Sequence, residues 1–76
     1  MEKLFGFCAA LDRLNVRYGM QVVRDQAVMV TLVVPGRYFE IEFFVDGSVE
    51  IERFVSEGVD VASDSDLDDV LAILNS

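Results

Sequence analysis

The sequence has no histidine, no tryptophan, one proline and one cysteine, and only six basic residues among its 76. Three of these shortages each remove a class of function. Without histidine, the commonest general base and metal ligand is missing, so nucleophile–histidine pairs and the usual zinc sites are excluded. A single cysteine, Cys8, cannot form an internal disulfide and fits a reducing compartment. Six Lys and Arg stand against fourteen Asp and Glu, a formal net charge of −8. Tracking a phosphate backbone relies on cations that displace counterions, so nucleic acid is not an expected partner. The apolar stretch from Leu4 to Leu11 is closed by Asp12 and Arg13. It is too short to cross a bilayer, and Glu2 beside a lone lysine does not make a targeting segment. The expectation is a cytoplasmic protein with no membrane partner.

Hydrophobic residues make up 53% of the chain, which favours a folded domain over disorder. Residues 1–76 read as a single domain. Its core is small enough that self-association or a partner would add stability. Charge is unevenly spread: up to Phe39 five basic residues face three acidic ones, whereas from Glu40 onward eleven acids face only Arg53. That acidic half favours either solubility or a basic partner.

Leu4, Phe7, Cys8, Leu11 and Leu14 recur at the spacing of one helical stripe, predicting a helix over Glu2 to Leu14 that ends at Asn15. Gly6 within it costs about 1 kcal/mol relative to alanine, which implies either a frayed start or a close backbone approach. Val16, Tyr18, Met20 and Val22 alternate with Arg17, Gly19 and Gln21 as a first strand, and Arg24, Asp25 and Gln26 form a polar turn. Ala27 to Val34 is a β-branched apolar run of the kind that lies inside a sheet. Pro35-Gly36 ends it with a tight turn, setting Leu32 opposite Phe39, Val30 opposite Ile41 and Val28 opposite Phe43.

The next turn, at Asp46-Gly47, decides which side chains meet. A two-residue loop would put Ile41 opposite Glu52 and Phe43 opposite Glu50, forcing acids into the buried layer. A three-residue loop, Val45-Asp46-Gly47, with glycine in the left-handed bulge position, pairs Phe43 with Val49 and Ile41 with Ile51. On the opposite face it sets Glu42 across from Glu50, Glu40 across from Glu52 and Tyr38 across from Phe54. Like charges directly opposed cost some tenths of a kcal/mol, up to about 1. Folding alone does not ask for two such pairs.

Ser56 to Ala62 has no clear period, and Leu67, Val70, Leu71 and Leu74 then form a short amphipathic helix capped by Ser63 or Ser65. The fold class is α+β: helix, four-stranded antiparallel meander, helix, with both helices on one face of the sheet.

Asp64, Asp66 and Asp68 open superficially like a calcium loop. Asp69 stands where an EF-hand needs glycine, and Asn75 where it needs a bidentate glutamate, so helix capping is the expected role and no metal or cofactor is assigned. No residue is assigned a catalytic role. Cys8 lies on an apolar stripe without a base, and the four glutamates sit on a sheet face expected to be open to water rather than enclosed. A binding surface is the stronger reading. Tyr38, Glu40, Glu42, Phe44, Glu50, Glu52 and Phe54 share one face, with Met29, Val33 and Val23 on neighbouring strands, a mixture of aromatic anchors and charge that suits an interface.

The pattern PG, YFEIEFF, DGSVEIERF and SEG between Val33 and Gly58 resembles small bacterial single-domain proteins, and the chain is similar in size and acidity to immunity proteins that neutralise toxins. The resemblance implies a small acidic inhibitor that engages a basic protein, and no catalytic residues. The alternative expectation is a structural homodimer or assembly subunit, with an enzyme or metal binder using the glutamates as the third.

Overall fold

The computed structural model describes residues 1–55, 58–63 and 67–75, and the side chains of 1–54 and 67–75. Helix α1 (Glu2–Arg13) leads into five strands, β1 (Tyr18–Arg24), β2 (Ala27–Val34), β3 (Arg37–Phe44), β4 (Val49–Val55) and β5 (Gly58–Ser63), and helix α2 (Leu67–Leu74) follows. Each strand pairs antiparallel with its sequence neighbour, in the order β1-β2-β3-β4-β5. The expected four-stranded meander is present as β1 to β4. A fifth strand extends it, formed by the segment that showed no clear period. The expected serine cap of α2, together with Asp64 and Asp66, involves positions outside the described side chains.

Helix α1 ends where its sequence says it should. Asn15 adopts a left-handed conformation (φ 58°), its N–H donates to Asp12 O, and the Val16 N–H donates to Leu11 O. These two bonds form a Schellman motif, which satisfies carbonyls that the helix would otherwise leave open. Val16 packs on the core, and β1 therefore begins two residues later than the alternation suggested. At Gly6 an added Cβ would meet nothing within 4 Å, so no close backbone approach explains that glycine.

Alternation sends one set of strand residues toward the helices. Val30, Leu32, Phe39, Ile41, Phe43, Val49 and Ile51 form one buried cluster with Leu4, Phe7, Cys8 and Leu11 of α1 and Val70 of α2. The Phe7 and Phe43 rings meet 5.8 Å apart. Leu67, Leu71, Ile73 and Leu74 of α2 are half-buried against the same cluster.

Both central turns have the predicted register. Val34 pairs with Arg37 across Pro35-Gly36, and Phe43 pairs with Val49 across the Asp46-Gly47 loop. In that loop the Phe44 N–H donates to Ser48 O and the Gly47 N–H donates to Phe44 O, with Gly47 at φ 94°, the three-residue loop with a glycine bulge. Asp46 accepts from the Ser48 N–H at 2.9 Å and from its hydroxyl at 2.6 Å. Lys3 Nζ donates to Gly47 O, which ties the start of α1 to this turn.

Candidate functional site

The residues that avoid the core come together on the other face of β3 and β4. Glu42 lies opposite Glu50, Glu40 opposite Glu52 and Tyr38 opposite Phe54. At one end of this strip the Tyr38 and Phe54 rings are 5.3 Å apart and tilted, and the Tyr38 hydroxyl donates to Glu40 Oε2 at 3.0 Å. Burial and this bond to a carboxylate both raise the Tyr38 pKa above its ordinary 10. Phe44 lies at the other end, and the acids stand between the two aromatic ends. All seven candidate residues are therefore on one surface.

Their surroundings differ from the sequence reading in two respects. The face is not uniformly open to water, because Glu42 is only 6% exposed while Glu50 is exposed and Glu40 and Glu52 are half-buried. The second difference explains the first. Between Val22, opposite Val28, and Arg24, opposite Ala27, strand β1 carries a bulge at Val23. An extra residue flips the side-chain alternation beyond it. Arg24 would otherwise follow Tyr18, Met20 and Val22 toward the helices, and instead it turns to the glutamate face. There its Nε lies 2.8 Å from Glu42 Oε2, and its guanidinium sits 5.6 Å from the centre of the Phe44 ring. Val23, expected among the apolar residues of this face, is the bulged residue, and Arg24 takes its place.

The small side chain of Ala27, itself buried, lies between Arg24 on β1 and Phe44 on β3 in the pairing ladder and leaves room for this arrangement. The Glu42 oxygen beside Arg24 has no aligned hydrogen bond, so the pair is held by charge rather than by a directed N–H. Arg24, read from the sequence as a turn residue, is the part of this face that sequence reasoning did not place within the same chain. The available signal was the length of the Val22-to-Ala27 connection, which a hairpin can absorb either in its loop or as a bulge.

Four glutamates beside Arg24 can attract and orient cations and basic side chains. Among the described residues no three potential metal ligands converge. None of the described helices is long and apolar enough to cross a membrane. A hollow of about 380 Å³ lies between the start of α1 and the β3–β4 turn, lined by Met1, Lys3, Leu4, Phe43, Gly47 and Val49 among others. No protein-family model matches the chain, and no curated protein and no solved structure matches it.

Proposed function

We propose that the protein is a small acidic binding module, of the kind exemplified by immunity-type inhibitors, that engages a basic protein surface through the outer face of β3 and β4. The observation that carries this reading is the pair of opposed glutamates, Glu40 with Glu52 and Glu42 with Glu50, bracketed by Tyr38–Phe54 at one end and Phe44 at the other. The sheet would be more stable with neutral or opposite charges in those pairs, so the repulsion is a standing cost that a cationic partner would relieve. Such a surface accelerates encounter with a positive partner and makes binding sensitive to salt. The aromatic ends supply anchors of the type that dominate interface energy.

In this reading the three accessible acids, Glu40, Glu50 and Glu52, contact the partner. Glu42 acts from beneath and keeps Arg24 stacked on Phe44. The protein works in the cytoplasm without catalytic residues, metal or cofactor, and a lone buried cysteine suits that compartment.

The test compares the wild-type chain with a Glu40→Gln, Glu50→Gln, Glu52→Gln variant, both immobilised and offered native lysate. The reading expects a basic protein that the wild type retains, that the variant loses, and that is released as salt approaches about 1 M, where the screening length is only about 3 Å. Retention by both proteins, unaffected by salt, would overturn the electrostatic mechanism.

A further inference from the structure

The helix layer does not cover the whole sheet. Cys8 and Asp12 lie on the flank of α1 that meets β1, where the Tyr18 hydroxyl donates to Asp12 Oδ1 at 3.3 Å. Phe5 is one turn earlier on that flank, because positions 5, 8 and 12 share a side of a helix. Strand β1 runs back along α1, so beyond Tyr18 it carries Met20 and then Val22 toward Phe5. Helix α2 packs on the opposite flank of α1, where Lys3, Gly6, Ala10 and Arg13 line a groove with Leu67 and Leu71. Among the described residues no helix covers the β1 side. Phe5 is 71% exposed, Met20 54% and Val22 73%, although Met20 and Val22 pair with Val30 and Val28 of the core side of the sheet.

This uncovered surface adjoins a free sheet edge. β1 has a neighbour on one side only, and it lacks the lysine, proline or inward-pointing charge that commonly blocks edge pairing. Its one irregularity is the bulge after Val22, which leaves Tyr18 to Val22 as a regular stretch. That stretch is centred on Met20, so an antiparallel two-fold at Met20 pairs Tyr18 with Val22 of the partner copy and Gly19 with its Gln21, and uses no bulged residue.

We infer that β1 is a homodimer edge: two copies pair antiparallel through Tyr18–Val22, joining their sheets, and the Phe5, Met20 and Val22 side chains of both copies cover one another. Most of the acids lie away from this edge. The chain carries −8, but β1 holds Arg24 and no acid, flanked by Arg17 and Asp25, whereas the other edge, β5, contains Asp60. Joining through β1 keeps the two acidic halves apart and leaves both glutamate faces free. The three exposed side chains offer roughly 350 Å² of apolar surface per copy. With the strand edges, the total is roughly 1,000 Å², at the small end of specific interfaces, so the dimer is a weak, concentration-dependent one.

Sedimentation equilibrium of the full chain tests this, from about 1 to 500 μM. The expected result is a monomer–dimer equilibrium that strengthens as salt screens the repulsion between acidic copies. Met20→Lys places two ammonium groups at the two-fold and should weaken association at least tenfold with an unchanged circular dichroism spectrum. Val22→Lys, at a second exposed position, should do the same. Glu50→Lys on the far face should leave dimerisation intact or strengthen it. A monomer throughout the range, or a dimer unaffected by both β1 lysines, would overturn the assignment. A dimer disrupted by Glu50→Lys would also overturn it, placing the contact on the glutamate face.

Discussion

Replacing Arg24 with alanine tests how the glutamate face is held together. Two interactions are lost, the charge pair with Glu42 and the stack on Phe44. Two unit charges 2.8 Å apart attract by ~6 kcal/mol at an effective dielectric of ~20 and by ~1.5 kcal/mol in water. The Arg24 side chain is 64% exposed, so the watery end of that range governs and the pair contributes about 1–2 kcal/mol. The cation–π contact adds about 0.5–1 kcal/mol. Arg24→Ala should therefore cost about 2 kcal/mol in a domain whose whole stability is on the order of 4–11 kcal/mol, lowering Tm by roughly 8–16 °C.

Glu42→Gln keeps the shape of the side chain, removes its repulsion with Glu50 and should cost less. Urea unfolding of the wild type, both single variants and the double variant separates the contributions. In the Glu42→Gln background, Arg24→Ala should cost only the stacking part, leaving a coupling of about 1 kcal/mol. Equal losses from Arg24→Ala in the two backgrounds would show that the charge pair contributes nothing. A larger loss from Glu42→Gln than from Arg24→Ala would show that something other than Arg24 stabilises the buried carboxylate.

Two glycines should respond in opposite directions. Gly6→Ala fills open space in a helix and should stabilise by about 0.5–1 kcal/mol, while Gly47→Ala forces a side chain into a left-handed turn and should cost about 1–2 kcal/mol in a thermal melt. Asp46 is held below its ordinary 3.8, first by the Ser48 hydroxyl and then by the Ser48 N–H. Because the folded-state value is the lower one, its contribution is complete above about pH 4 and is lost as pH falls through that lower value, so Asp46→Asn should flatten the acid limb of the stability profile. Tyr38 should titrate above the ordinary value, chiefly through burial and secondly through Glu40. Its ultraviolet tyrosinate midpoint, followed in a Tyr18→Phe background, should fall partway toward 10 in Glu40→Gln. No change would remove Glu40 from the account, and a complete return would remove burial.

The centre of the sheet was legible in the sequence because two short turns specify it. Pro35-Gly36 and the glycine at 47 each allow one register that keeps Phe39, Ile41 and Phe43 on the core side, and the opposed glutamates follow from that choice. The fifth strand was not legible. An edge strand is paired on one side only and needs no long apolar alternation, so Gly58–Ser63 resembled a loop. Face assignment also differs from depth. Alternation places Glu42 beside Glu40, but its burial depends on a one-residue bulge in another strand, which changes the aim of Arg24 without altering the hydrophobic pattern.

The meander order has a consequence for how the chain folds. Every strand pairing joins sequence neighbours, so loop closure is inexpensive and rapid folding follows. The two central hairpins are unequal, however. β2 with β3 brings together apolar residues and no opposed like charges, whereas β3 with β4 must close both glutamate pairs against their repulsion. Assembly should therefore begin at Pro35-Gly36 and reach the acidic hairpin later. The face assigned to recognition is then also the electrostatic barrier on the folding route, and added salt should speed folding as well as loosen the partner.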